Sequence, residues 1–316
     1  MTKMRLISLV AIMLLASSAS AEFPARVFAP YMYLGAGDDF KLTDCDDACG
    51  QKYYTLAFII AGKDNNPAWD GRWPMEENRY ADQIDQIRKR GGDVIVSFGG
   101  EAGKELALVE PDVEKLQAKY EAILDRYHFT WLDFDIEGKA MKDHEANHRR
   151  NRVIKNLQDK NPKLIVSFTV PVDPEGMNEE SVKMMNDAKQ QGVKIHSANI
   201  MTMYFGPKFN KTMSMLEMCT ASANKARGQT TAIDPAIQIG LCPMIGHNGQ
   251  MNEDFTVDDA KNLTDWAIKQ PWICSQSFWC SNRDAGTPKN KNGNTDSGVP
   301  QEPWAFTNAM KAITNK

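Results

Sequence analysis

Beyond its first 21 residues the chain has no apolar run long enough to cross a bilayer as a helix, so no membrane partner is expected for the remainder. It also lacks an excess of positive charge. Its 37 Lys and Arg stand against 41 Asp and Glu, and a mildly acidic balance makes nucleic acid a poor partner. A neutral substrate suits it better. No nucleotide-binding glycine loop is present, because Gly99-Gly100 lacks the rest of that pattern. There are no internal repeats and no low-complexity tract. Histidine is scarce at five and cysteine at six. No cofactor and no resident metal are expected.

What is present begins with a leader. Lys3 and Arg5 give a basic start, Leu6 to Leu15 is apolar, and Ala19-Ser20-Ala21 is a small-residue cleavage signal. Residues 1–21 therefore read as a secretory signal peptide, with an uncleaved anchor as the rival reading. Its removal makes the formal charge of −4 two units more negative. The expected location is outside the cytoplasm, extracellular or periplasmic. Residues 22–316 suffice for one large α/β domain or two smaller ones. In an exported chain an even number of cysteines suggests disulfides. The expected pairs are Cys45–Cys49, Cys274–Cys280 and Cys219–Cys242, although sequence cannot fix connectivity. Zinc is disfavoured for the close pairs because no histidine lies near them.

Apolar runs and helical periods alternate along the chain. Strands are expected at Phe28 to Leu34, Tyr53 to Ala61, Asp93 to Gly100, Thr130 to Glu137, Leu164 to Val170, Ala198 to Phe205, Ile237 to Ile245 and Ile273 to Cys280. Helices are expected at Glu77 to Arg90, Pro111 to Tyr127, Asp143 to Asp159, Glu179 to Gln190, Thr212 to Ala226, Val257 to Lys269 and Trp304 to Ile313. Asp38 to Gly50 and Gly286 to Gln301 read as loops. Eight strands alternating with helices and undivided by a linker predict a single-domain (β/α)8 TIM barrel, with an open doubly wound sheet as the alternative. In such a barrel chemistry sits at the C-terminal strand ends.

One strand stands apart: Thr130-Trp131-Leu132-Asp133-Phe134-Asp135-Ile136-Glu137-Gly138. With a period of two, Asp133, Asp135 and Glu137 share one face, and Leu132, Phe134 and Ile136 the other. Three adjacent carboxylates resist joint ionisation, which destabilises a strand unless the chemistry uses it. A solvated strand end would not explain two aspartates and a glutamate all facing one way. The three are the candidate catalytic residues. Because they titrate together, no single pKa belongs to one of them.

Asp133 to Gly138 resembles the DxDxE core of glycoside hydrolase family 18, the chitinases and their relatives. Ser97-Phe98-Gly99-Gly100 resembles the family's SxGG strand, and Trp279 resembles the tryptophan that floors its sugar site. The resemblance extends from about Phe28 to Asp284. It implies a retaining, substrate-assisted mechanism, which departs from the usual two-carboxylate scheme. Glu137 would act as general acid/base, Asp135 would guide the acetamido group, and Asp133 would share a proton with Asp135. Tyr204 would meet the acetamido oxygen. Met201, Met203, Ser97, Gly99 and Gly100 would complete the substrate site, and Tyr33, Trp69 and Trp73 are candidates for further subsites or for packing. Two departures stand out. Thr130 occupies a place where the family often has an aspartate. Met201-Thr202-Met203-Tyr204-Phe205 ends the sixth strand without the family's aspartate.

The implied activity is hydrolysis of chitin or chitooligosaccharides, β-1,4-linked N-acetylglucosamine polymers, by a monomer. The alternatives are an endo-β-N-acetylglucosaminidase acting on glycans and a chitinase-like lectin that binds without cutting. His144-Glu145-Ala146-Asn147-His148 fits the H-E-x-x-H zinc pattern. At roughly 100° per residue, however, both histidines point away from the Val153, Ile154 and Leu157 stripe and toward solvent.

Overall fold

The computed structural model describes residues 22–36, 40–249, 253–285 and 293–314. The leader expected over residues 1–21, and part of the loop expected over Gly286 to Gln301, lie outside these residues. Eight parallel strands form the barrel: β1 (Val27–Phe28 with Tyr31–Tyr33), β2 (Tyr53–Ala61), β3 (Asp93–Gly99), β4 (Trp131–Asp135), β5 (Ile165–Asp173), β6 (Ser197–Thr202), β7 (Gln238–Pro243) and β8 (Ile273–Gln276). Each pairs with the next in chain order.

The seam of the ring is β1, which Pro30 interrupts because proline cannot donate to a ladder. Val27–Phe28 pairs with β8, and Tyr31–Tyr33 pairs with β2. Between them Ala29 N–H donates to the Gln276 carbonyl at 2.9 Å and Thr55 N–H to the Pro30 carbonyl at 3.0 Å. Hydrogen bonds thus run to both neighbours across the break.

The principal outer helices are α1 (Leu42–Cys49), α2 (Ala81–Lys89), α3 (Val113–Tyr127), α4 (His144–Lys160), α5 (Glu179–Gln190), α6 (Met215–Ile233), α7 (Val257–Ile268) and α8 (Ala305–Met310). Helix α1 occupies a stretch expected to be a loop. Its charged sequence hides a short helix that buries Leu42 and Cys45 and ends at Gly50 in the left-handed region (φ 72°). The acidic strand is shorter than expected and stops at Asp135. Glu137 instead stands at the N-cap of the five-residue helix Gly138–Lys142.

The two faces of the strands carry different chemistry. Outward, Phe98, Phe134 and Phe168 occupy one register row. Phe98 and Phe134 stack at 5.3 Å, and Tyr120 of α3 meets Phe98 edge-on at 5.0 Å. Burying side chains of this size contributes about 1.5–3 kcal/mol each. Inward, the matching rows are polar. Ser97, Asp133, Ser167 and Ser197 stand in one row, and Gly99, Asp135, Thr169 and Asn199 in the next toward the C-terminal end.

The six cysteines are free thiols, which corrects the expected disulfides. Cys45 and Cys49 lie one turn apart on α1 with sulfurs 3.4 Å apart, well beyond a bond of about 2.05 Å. Cys219 faces the Thr202 carbonyl from α6, outside the barrel wall, whereas Cys242 lines the cavity inside it. Cys274 lies in β8 with its thiol toward the Ile239 carbonyl, whereas Cys280 lies beyond the strand end with its thiol toward the Asn294 carbonyl.

Outside the barrel, Glu105 is a buried anion. It caps the helix Leu106–Val109 through Ala107 N–H at 3.0 Å, and accepts from Tyr120 Oη and Arg150 Nη2, both at 2.8 Å. Arg150 is itself buried. We expect Glu105→Ala to lower stability by about 3–5 kcal/mol, because it strands a buried guanidinium. Chemical denaturation measures this, and a loss below about 1 kcal/mol would show that Arg150 finds another partner.

Candidate active site

The polar rows converge on Asp133, which is 2% exposed. Four hydroxyls surround it. Tyr31 Oη and Ser97 Oγ reach Oδ2 at 2.8 and 2.7 Å, and Ser167 Oγ reaches Oδ1 at 2.7 Å. Thr169 Oγ1 lies 2.9 and 3.0 Å from the two oxygens. A further layer fixes these hydroxyls: Trp131 Nε1 donates to Ser167 Oγ at 3.0 Å, and Asn199 Nδ2 to Thr169 Oγ1 at 3.0 Å. Burial pushes the Asp133 carboxyl up, and the four hydroxyls pull it back without cancelling the effect.

Asp135 lies one row higher and is 5% exposed. Burial raises its pKa well above the usual carboxylate range, and the charges of Glu137 and Asp133 raise it further. Asp135 shares a hydrogen bond with Glu137. Its Oδ1 is buried without a hydrogen-bond partner among the described residues. The hydrogen bonds of Asp133 run to hydroxyls, so its hold on Asp135 is through charge rather than the shared proton expected from sequence. Glu137 is pushed up to about 7, first by burial and next by the charge of Glu101, against the opposing hydrogen bond from Asp135.

These groups open into a cavity of about 620 Å³ at the C-terminal mouth of the barrel. Its walls bring together Asp135, Glu137, Met201, Met203, Tyr204 and Trp279. Trp279 lies just past β8, where it bridges to Met244. Its indole stacks on Phe58 at 5.6 Å with ring planes 9° apart, and its Nε1 donates to Asn294 Oδ1 at 2.9 Å. The Tyr33 ring packs against it at 5.4 Å.

Ser97, Gly99 and Gly100 do not line the cavity. Ser97 bonds Asp133 from below. Gly99 has φ 102°, and a Cβ there would stand 2.1 Å from the Asp135 carbonyl oxygen. Gly100 N–H donates to that same oxygen at 2.8 Å, and a Cβ on Gly100 would strike the Phe58 ring at 2.6 Å. Glycine at 99 lets β3 approach β4 closely, and glycine at 100 leaves room for the Phe58 ring of β2.

Of the further subsite candidates, Tyr33 lines the cavity. Trp69 does not: it is fully buried and donates to Tyr127 Oη at 3.1 Å. Trp73 lies under the Arg79 guanidinium, 4.2 Å from its centroid, and is not a cavity residue. Sequence reasoning missed Tyr31, Phe58, Asp70, Glu101, Thr169 and Asn294. The hydroxyls beneath Asp133 had one available signal, since Ser97, Ser167 and Thr169 alternate on strands that otherwise read as apolar.

The H-E-x-x-H stretch faces outward from α4. His144 pairs with Glu180 at 2.8 Å and His148 with Asp187 at 2.7 Å, both carboxylates lying on α5. Among the described residues, no group of three or more His, Cys, Asp or Glu could hold a metal ion.

Fold and site together define a class: an acid-lined (β/α)8 barrel of the glycoside hydrolase kind. No protein-family model matches the chain. It is similar to the catalytic domain of a hyperthermophilic chitinase from Pyrococcus furiosus, with 31% identity, a TM-score of 0.83, and coverage of 92% of this chain and 95% of that one. It is 30% identical over 279 residues to a probable bifunctional chitinase/lysozyme of Escherichia coli (strain K12), covering 78% of this chain and 30% of that protein. It is 29% identical to endochitinase 11 of Metarhizium anisopliae, covering 51% of that protein. The chain thus spans between about a third and a half of the curated relatives it matches. A family 18 chitinase from Chromobacterium violaceum shares the fold at a TM-score of 0.63 with 14% identity. The chain belongs to glycoside hydrolase family 18.

The raised carboxyl of Asp135 has a consequence for stability. The folded state binds its proton more tightly than the unfolded chain does. The associated stability is therefore full below the unfolded value, near 3.9, and is lost as pH rises through the raised folded value. Asp135→Asn should consequently raise Tm by about 2–4 °C more at pH 8 than at pH 5. Equal effects at both pH values, read by calorimetry, would contradict the raised carboxyl.

Proposed function

We propose that this protein hydrolyses β-1,4-linked N-acetylglucosamine polymers, chitin or its oligosaccharides, with retention of configuration. The observation that carries the proposal is the hydrogen-bonded Asp135–Glu137 pair, both carboxyls pushed up by burial, at the mouth of an aromatic-walled cavity. A carboxyl held near pH 7 can donate a proton at neutral pH, as a general acid must.

In this reading a sugar ring lies with its apolar face on Trp279, whose indole Phe58 backs from behind. Glu137 protonates the glycosidic oxygen as the bond to the leaving sugar breaks. The 2-acetamido carbonyl oxygen of the substrate forms the new bond to the anomeric carbon, giving an oxazolinium ion. As Glu137 gives up its proton, the proton of Asp135 shifts along their shared hydrogen bond toward Glu137. The Asp135 carboxylate then accepts the acetamido N–H and balances the positive charge, a role that suits its unpartnered Oδ1. The proton shifts back when Glu137 takes one from water. The Tyr204 hydroxyl donates to the acetamido oxygen. Water, deprotonated by Glu137, then opens the ring, and the first product keeps the β anomer. Asp133 stays in its hydroxyl cage and acts on Asp135 through its charge. The proposal extends to export by the leader over residues 1–21 and to action as a monomer.

The relatives support this reading: two curated proteins and a solved catalytic domain, each named a chitinase, align over most of the chain. The test is hydrolysis of chitin oligomers by the unmutated protein beside Glu137→Gln. The substitution should lower kcat by about 10²–10⁴-fold and leave binding intact. Nuclear magnetic resonance of the first product should show the β anomer. Binding without cleavage by the unmutated protein would overturn the enzyme reading in favour of a lectin, and an α product would overturn the oxazolinium route.

A further inference from the structure

Tyr204 is the one large apolar side chain that is substantially exposed among the described residues, at 56%, yet it forms part of the cavity wall. Its backbone is strained: φ is 53°, in the left-handed region that a bulky residue seldom occupies. Such a conformation persists only where its surroundings over-determine it. No aspartate follows Tyr204 on its own strand to hold it, as the sequence already shows.

The hold comes from elsewhere in the chain. Glu253 is 2% exposed and does not line the cavity. Its Oε2 accepts Phe205 N–H at 2.9 Å and its Oε1 accepts Gly206 N–H at 2.6 Å. Asn210 Nδ2 adds a third bond to Oε1 at 3.0 Å. Both carboxylate oxygens are thus spent on the two peptide groups that follow Tyr204. The hairpin that presents Glu253, Gly246–His247 against Asp254–Phe255, also supports the ring. A Cβ on Gly249 would stand 2.9 Å from Tyr204 Cε1, so the ring lies directly over that glycine. Asn248 N–H to the Glu253 carbonyl, at 2.8 Å, ties the two supports together.

We propose that Glu253 is a positioning residue: it fixes the Phe205-Gly206 backbone and thereby holds the Tyr204 hydroxyl at the cavity mouth. The proposal rests on the reading of Tyr204 given above. Glutamate suits the task because both of its oxygens accept. Glutamine of the same shape turns one of them into an NH2 group facing a backbone N–H.

Two measurements on Glu253→Gln test this. The first does not depend on activity. Hydrogen exchange over residues 203–209 should quicken at least tenfold while β4 and β5 keep their protection; unchanged exchange there would overturn the clamp. The second is a double-mutant cycle with Tyr204→Phe on chitin oligomers. Each single variant should lower kcat about tenfold with KM changed less than threefold, and the double variant should be no slower than either one. Losses that multiply to about a hundredfold would overturn action through Tyr204, as would unchanged turnover in Glu253→Gln. Full turnover in Tyr204→Phe would remove the role of the tyrosine and overturn the positioning claim with it. A wild-type protein inert on chitin would overturn the substrate reading, while exchange still decides the clamp.

Discussion

The buried carboxylate of Asp133 is the constraint that the site is built around. An anion in a barrel interior is costly unless every lone pair is met. Here β3 and β5 supply three hydroxyls at positions where strand register brings them level with the acid or one row above, and Tyr31 of β1 reaches it with the fourth. A barrel interior filled with branched apolar side chains would pack as well but could not hold this charge. The polar filling of the interior therefore follows from the acid, while the aromatic rows outside supply the burial that fixes the strands.

The charge on Asp133 is felt one row up. Asp135 sits between it and Glu137, and burial with charge on both sides makes ionisation of the middle group the least favourable of the three. A proton is thereby stored at the mouth of the cavity, next to the group that would donate one. The same arrangement costs stability at high pH, a local conflict of the kind that functional sites retain. Gly99 and Gly100 belong to this arrangement although they do not line the cavity: the Asp135 carbonyl leaves no room for a side chain at the first, and the Phe58 ring behind Trp279 leaves none at the second.

Much of this was legible in the sequence. Eight strands, the alternation with helices and the inward direction of Asp133 and Asp135 all follow from period and composition. Strand ends were less legible. Glu137 continues the period of two yet belongs to the next helix, because the strand hydrogen bonds stop at Asp135 and Gly138 turns the chain with φ 52°. Helix α1 was missed because three aspartates interrupt its four apolar residues, and its burial is decided by neighbours far along the chain. The cavity walls were only partly legible. Trp279 and Tyr204 stand at strand ends, whereas Asp70, Glu101 and Asn294 come from loops whose placement no periodicity encodes. Trp69 shows the converse: an aromatic in a loop-like stretch that packs into the core. The expected disulfides failed for a related reason, since cysteine spacing carries no information about which side of the barrel wall each thiol faces.

The central claim is that burial and neighbouring charge keep Glu137 protonated near neutral pH. A carbon-13 titration of the Glu137 carboxyl in the folded protein tests it most directly, with Glu137→Gln used to assign the signal. The account predicts a midpoint near 7. A midpoint in the ordinary glutamate range, about 4.3, would contradict it.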